Sequence, residues 1–148
     1  MCIRDREGLA AYVGSDPTFP SIEGMEIALR PYHASFGPLS PTQLLRMTQN
    51  NARRRPDGTY GFDYDPHIGD ALKTGPLQDV NLWPVYDAVC CPTLVLHGAV
   101  STLLTSEVAE EMTRRGPKAS VVDFPGVGHA PALLSQDQIG AVRDFLLS

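Results

Sequence analysis

The amino-acid sequence predicts an α/β fold of three-layer architecture, in which a parallel sheet is covered by helices on both faces. Two observations carry that prediction. Residues 93–98 (Thr93-Leu94-Val95-Leu96-His97-Gly98, behind Pro92) and 119–124 are short, largely apolar runs, the first ended by glycine, as suits strands buried on both faces of a parallel sheet. Each is followed through a short connection by a helical pattern, which is the strand-helix-strand-helix order of a parallel βαβ arrangement. Two strands cannot stabilise such a sheet alone, so on its own terms the sequence reads as the end of a larger domain.

The elements follow in chain order. Up to about Gly75 the chain is punctuated by Pro, Gly and aromatic residues. Ser21 precedes an apolar-periodic stretch and is placed to cap a short helix through Leu29, which Pro31 then stops. Ser40-Pro41-Thr42-Gln43 offers an N-cap serine, a proline at the first helical position and a glutamine at the third, so a helix is predicted from Gln43 to about Arg54. The run Arg53-Arg54-Arg55, ending in Pro56-Asp57-Gly58, reads as the solvated end of that helix rather than as a phosphate site. Residues 59–64 form a short extended piece after the Asp-Gly turn. Trp83, with Leu82, Val85 and Tyr86, supplies packing for a helix that leads into Pro92. Thr105 caps the next helix, with Glu107 near its positive end, and Arg114-Arg115-Gly116-Pro117 terminates it. Ser135-Gln136-Asp137-Gln138 is a capping box, followed by Ile139, Val142, Phe145 and Leu146 at helical spacing.

At 148 residues with a formal net charge of -5, the chain lacks the clustered Lys and Arg that phosphate binding needs, which excludes nucleic acid and anionic membrane as expected partners. No apolar run approaches the roughly 18 residues of a membrane span, and the N-terminus has no signal-peptide core. The three cysteines, Cys2, Cys90 and Cys91, form no C-x-x-C pair and have no histidine at zinc spacing, so neither a metal nor a cofactor is implied. They read as small buried hydrophobes in a reducing compartment, hence a cytoplasmic protein. Residues 1–6, Met1-Cys2-Ile3-Arg4-Asp5-Arg6, resemble the translated sequencing-adapter remnant that opens many metagenomic genes and are set aside from fold reasoning, so the true start is expected upstream.

The segment Phe124-Pro125-Gly126-Val127-Gly128-His129-Ala130-Pro131 holds the strongest chemical signal. It sets a histidine in a glycine-rich turn directly after a buried strand, at the carboxyl end where open α/β sheets gather their active sites. Gly126 and Gly128 let the backbone turn sharply and present an imidazole, a group able to act as general base near neutral pH. His97, just before Gly98, reads as a structural histidine bonded to backbone. His33 and His67 are candidate substrate contacts, and Met25, Phe36, Leu39, Phe62 and Tyr64 are candidates for an apolar lining or for local core.

The segment 92–98, then Ser101 to Leu104, then Gly126 to Pro131, and the closing helix resemble the last two strands, acid loop, histidine loop and final helix of α/β-hydrolases. Upstream, Gly8-Leu9, Tyr12-Val13-Gly14, Phe36-Gly37-Pro38-Leu39 and Tyr64-Asp65-Pro66 resemble the cap segment of a bacterial subgroup with the same ending. The resemblance implies a three-layer α/β-hydrolase fold of which this chain holds a helical cap at 7–81 and the C-terminal part of the core at 82–148, with only the last two core strands and helices present. In that family a serine or aspartate on a sharp strand-to-helix turn attacks the substrate, a histidine activates the nucleophile or water, and an acid orients the histidine. His129 takes the base role by resemblance. The nucleophile motif G-x-S-x-G does not occur in the chain, and the family order of nucleophile, acid and histidine places it upstream of residue 7.

The acid of the subgroup falls in a Gly-Ala-x-Ser-Asp-Leu-Leu loop, where this sequence reads Gly98-Ala99-Val100-Ser101-Thr102-Leu103-Leu104. Thr102 thus occupies the acid position. A hydroxyl cannot carry the charge that steadies an imidazolium, a defect worth about 10⁴ in kcat where an acid is neutralised. Glu107 and Asp123 are the substitute acids nearest in sequence. The expected parent activity is hydrolysis of a small apolar ester or related acyl compound without a cofactor; the alternative is a hydrolase-like protein that has lost its acid and binds a small ligand or partner. The chain by itself is expected to expose strand edges and apolar surface and so to associate.

Overall fold

In the computed structural model, which describes residues 15–70 and 81–148, Ser21 opens the first helix, α1 (Ile22–His33), by accepting a bond from the Gly24 amide at 3.1 Å. Pro31 does not stop it, as the sequence had suggested; the helix runs on to His33. The carbonyl to which a residue other than proline at position 31 would donate is that of Ile27, on a residue 61% exposed, so the missing bond falls on the solvent side of the helix. A turn of 3-10 helix (Ala34–Phe36) follows, then α2 (Pro41–Asn50), opened by the predicted box: Ser40 Oγ accepts from the Gln43 amide and Gln43 Oε1 accepts from the Ser40 amide.

Helix α2 ends four residues short of the sequence-based limit, and the arginine run is strand rather than helix end. Strand β1 (Ala52–Arg54) pairs antiparallel with β2 (Tyr60–Phe62), closed by a turn in which the Gly58 amide bonds the Arg55 carbonyl. Gly58 adopts a φ of 87°, which favours the Asp-Gly sequence there. Hairpin closure competes for the arginine backbones and wins because Phe62 then reaches Met25 and Leu29, with Phe19, Ala52, Tyr60 and Tyr64 packed around them. The Arg55 guanidinium is engaged by Asp16, Thr18 and the Pro17 carbonyl.

Helix α3 (Trp83–Asp87) leads into β3 (Leu94–Gly98), α4 (Ser106–Met112), β4 (Ser120–Phe124) and α5 (Gln136–Leu147). Strands β3 and β4 are parallel and in register from Leu94 opposite Ser120 to Gly98 opposite Phe124. Their core joins Tyr86, Val95, Met112 and Ala119, with Trp83, Leu104, Val108 and Val121 packed on it. The Tyr86 hydroxyl donates to the Met112 carbonyl at 2.8 Å, and the Arg115 guanidinium lies 4.6 Å from the Trp83 ring centre while bonding Asp87. Strand β4 is only partly buried, with Ser120 and Asp123 exposed, because it has a single strand neighbour among the described residues.

Two further expectations are corrected. Ser135 makes no side-chain cap on α5; Gln138 turns its amide oxygen to the Leu133 amide at 2.8 Å instead and is itself buried. Cys90 and Cys91 are exposed, since they fall in the turn between α3 and β3 rather than in the strand. Residues 8, 9 and 12–14 of the cap-like pattern, and the adapter-like start, lie outside the described residues. The chain divides into two compact units: residues 15–34 with 38–70 belong to the hairpin unit, and Ser35–Gly37 with 81–148 to the parallel-strand unit. No described helix is long and apolar enough to cross a membrane.

Candidate active site

The loops after β3 and β4 leave the same end of the parallel pair, because the strands finish in register at Gly98 and Phe124. The Ala99 amide donates to the Phe124 carbonyl at 3.1 Å, and the Val100 amide to the Val127 carbonyl at 3.0 Å. Gly98 is required for that closeness: a Cβ there would stand 2.0 Å from the Gly128 carbonyl oxygen. The loop carrying position 102 and the loop carrying His129 are therefore laced together through main chain.

The histidine loop is built from three fixtures. Phe124 and Val127 close a turn at 3.3 Å with Gly126 at a φ of 72°. Gly128 donates its amide to the Ser35 carbonyl at 2.6 Å, with Gly37, at a φ of 90°, packed beside Val127. On the far side, Gln138 holds Leu133. Val127 and Gly128 are buried, whereas His129 is exposed, so a fixed backbone presents a solvent-accessible imidazole. Such a side chain has the freedom and the chemistry to exchange a proton with a neighbouring group or water.

The loop carrying Thr102 is equally ordered. The Ser101 amide bonds the Gly98 carbonyl at 2.9 Å and the Leu104 amide bonds Ser101 Oγ at 3.0 Å, leaving Thr102 exposed on the short span between. Glu107 stands exposed in the first turn of α4, whose N-cap is Thr105. Asp123 is directed to a different histidine: its carboxylate lies 2.5 Å from Nδ1 of His97, whose other nitrogen, Nε2, lies 2.9 Å from the Leu104 carbonyl.

Sequence reasoning expected the backbone partner of His97 and missed the carboxylate. A signal was present, because His97 and Asp123 each stand one residue before the end of their strand, and parallel strands ending in register place them opposite one another. The contribution of Ser35–Gly37 to the histidine loop had no comparable signal, being a contact between segments about ninety residues apart.

In the hairpin unit, Met25, Phe62 and Tyr64 are occupied in local core. His67 pairs with Asp65 at 2.8 Å on the surface, and that bond together with the His67 amide holds the Asp65 carboxyl below its usual range, the amide being the larger cause. His33 is buried, and loss of solvation lowers its pKa against the opposing pull of Glu26. An open groove of about 410 Å³ lies between α1 and α2, walled by Leu44, Leu45 and Pro41 on one side and by the Glu26–Arg30 pair on the other. No group of three or more metal-ligating side chains occurs among the described residues.

No protein-family model matches the chain. The 3-hydroxybutyrate-oligomer hydrolase of Cupriavidus necator is 34% identical over 152 residues, an alignment that covers 94% of this chain and 50% of that protein. Among solved structures, an α/β hydrolase from Novosphingobium aromaticivorans is 30% identical with a TM-score of 0.83, covering 96% of this chain and 51% of that one. A structure from Rickettsia typhi, 22% identical, superimposes with a TM-score of 0.86 over 99% of this chain and 50% of that one, a likeness of fold. The chain spans about half the length of the relatives it matches.

Proposed function

We propose that this chain, which has the fold of the C-terminal half of α/β hydrolases, supplies the histidine-bearing part of a hydrolase acting on a small apolar ester or related acyl compound, with His129 as general base. The observation that supports this reading is the pair of loops laced together at the carboxyl ends of β3 and β4, one presenting His129 and the other presenting position 102. A histidine on a fixed loop beside a second short loop is the arrangement in which an acid at position 102 orients an imidazole that in turn deprotonates a nucleophile or water. The Cupriavidus relative is named for hydrolysis of a hydroxy-acid oligomer. Such oligomers are joined by ester bonds, which favours ester cleavage here over other bonds the fold can break. The exposed free thiols of Cys90 and Cys91 suit the reducing cytoplasm proposed for the protein.

Thr102 bears on the rate rather than on the assignment of the base. Without a carboxylate at that position the imidazolium has no fixed counter-charge from its own acid loop, and the reaction runs far below its ceiling. The test replaces the matching half of the Cupriavidus hydrolase by residues 7–148 of this chain and assays the folded chimera on 3-hydroxybutyrate oligomers and 4-nitrophenyl butyrate. His129→Ala is expected to lower kcat by about 10⁴-fold or more relative to a Thr102→Asp chimera, and Thr102→Asp to raise kcat/KM by up to about 10⁴-fold over the parent chimera. A folded chimera whose hydrolysis is unchanged by His129→Ala removes His129 from the base role.

A further inference from the structure

His97 is 1% exposed and plays no part in the reaction proposed above, yet both of its ring nitrogens are placed against oxygen acceptors, the Asp123 carboxylate at 2.5 Å and the Leu104 carbonyl at 2.9 Å. Neither acceptor can donate, so each contact is favourable only when the facing nitrogen carries a proton. The three groups belong to three different pieces of the fold: His97 to β3, Asp123 to β4 and Leu104 to the loop between β3 and α4. Leu104 is held twice, its amide by Ser101 Oγ at 3.0 Å and its carbonyl by His97 Nε2. Residues 102 and 103 thus form a two-residue span whose flanking residues are both fixed, Ser101 by the Gly98 carbonyl and Leu104 by these two bonds.

The geometry points to His97 as the positioning residue of the loop that carries residue 102, with Asp123 as the partner that orients its ring. The carboxylate holds Nδ1 and thereby aims Nε2 at the Leu104 carbonyl, which sets the height of the loop above the strand ends just before the Thr105 cap of α4. Asp123 is accordingly committed to His97, which leaves position 102 and Glu107 as the places from which an acid would reach His129. The importance of this brace for catalysis rests on the reading of residue 102 as the acid position. The brace itself does not, and it is tested without any measurement of hydrolysis.

Asparagine at position 97 keeps an N–H near Nδ1 and none near Nε2, whereas glutamine keeps one near Nε2; the two amides otherwise shorten or soften the residue alike. Amide hydrogen exchange of Val100, Ser101 and Leu104 is expected to speed up about tenfold or more in His97→Asn and to stay within about threefold of the parent chain in His97→Gln, because one buried hydrogen bond is worth roughly a factor of ten. In the parent chain the His97 Nδ1 proton is expected as a slowly exchanging, strongly deshielded NMR signal that disappears in Asp123→Ala. Should His97→Asn fail to fold, Asp123→Ala decides the matter, since the carboxylate is 65% exposed and its removal opens no cavity; faster exchange at the same three amides supports the brace. Equal exchange in His97→Asn and His97→Gln, or unchanged loop exchange in Asp123→Ala, overturns it. Loss of hydrolysis in a chimera with intact loop protection would count against the proposed reaction and leave the brace standing.

Discussion

At His33 burial and charge pull in opposite directions. Loss of solvation lowers its pKa, the nearby Glu26 carboxylate raises it, and desolvation is the larger. The folded state therefore prefers the neutral ring, and the unfolded state binds the proton more readily near the ordinary value of 6.5. The stability that His33 contributes is complete above about that pH and is lost as the solution is acidified through the lower, folded value. Glu26 behaves in a separate window: the Arg30 hydrogen bond lowers its pKa from 4.5, so its contribution persists until the pH falls below that ordinary value. Thermal melts between pH 7.5 and 5 should show a falling Tm that His33→Gln flattens; a slope unchanged by that substitution would place the titration elsewhere. The single residues that sequence made legible were those with local reasons, such as Ser21 and Ser40 as caps and His129 behind its glycines. Asp123 is visible in sequence as a carboxylate, whereas its pairing with His97 emerges only when the ends of two strands 26 residues apart are aligned.

Local rules decided the elements unless a packing contact outbid them. Ser40 and Gln43 close their box because each supplies the acceptor that the other's amide lacks at the helix start. The same pattern at Ser135 and Gln138 goes unmade because Leu133, held at a φ of 55° after the histidine loop, presents an amide that Gln138 satisfies. The arginine run reads in sequence as a helix end for a similar reason: hairpin pairing and the burial of Phe62 are not encoded in helical periodicity. Two glycines of the candidate site separate steric from backbone demands. Gly98→Ala would set a Cβ against the Gly128 and Val127 carbonyls, so denaturant unfolding should reveal a loss of about 3 kcal/mol or more. Gly126→Ala meets no atom within 4 Å and suffers only its positive φ, an expected loss of about 1–2 kcal/mol. If Gly126→Ala proved the costlier of the two, the close lacing of the loops would be in error.

For the molecule as a whole, the parallel sheet has two strands among the described residues, and large apolar side chains lie open on the same unit, including Val100 at 62% exposure and Leu147 at 80%. Unpaired strand edges and contiguous apolar surface favour association. Light scattering on the purified chain should therefore give an apparent mass that rises with concentration; a monodisperse 148-residue species across that range would refute the expectation. What the sequence by itself determined was whatever depends on neighbours in the chain: the caps at Ser21, Ser40 and Thr105, the Asp-Gly turn, two apolar strands joined through a helix, and a glycine turn before a histidine. These are settled by backbone sterics and by the solvation of short segments, and so they can be read locally. Tertiary structure alone decided the seating of Ser35 against Gly128, the meeting of His97 with Asp123 and Leu104, and the choice of Gln138 between its own helix and Leu133. Each of these pairs a donor with an acceptor that only the packed chain brings within 3 Å, and no periodicity in the sequence carries that distance.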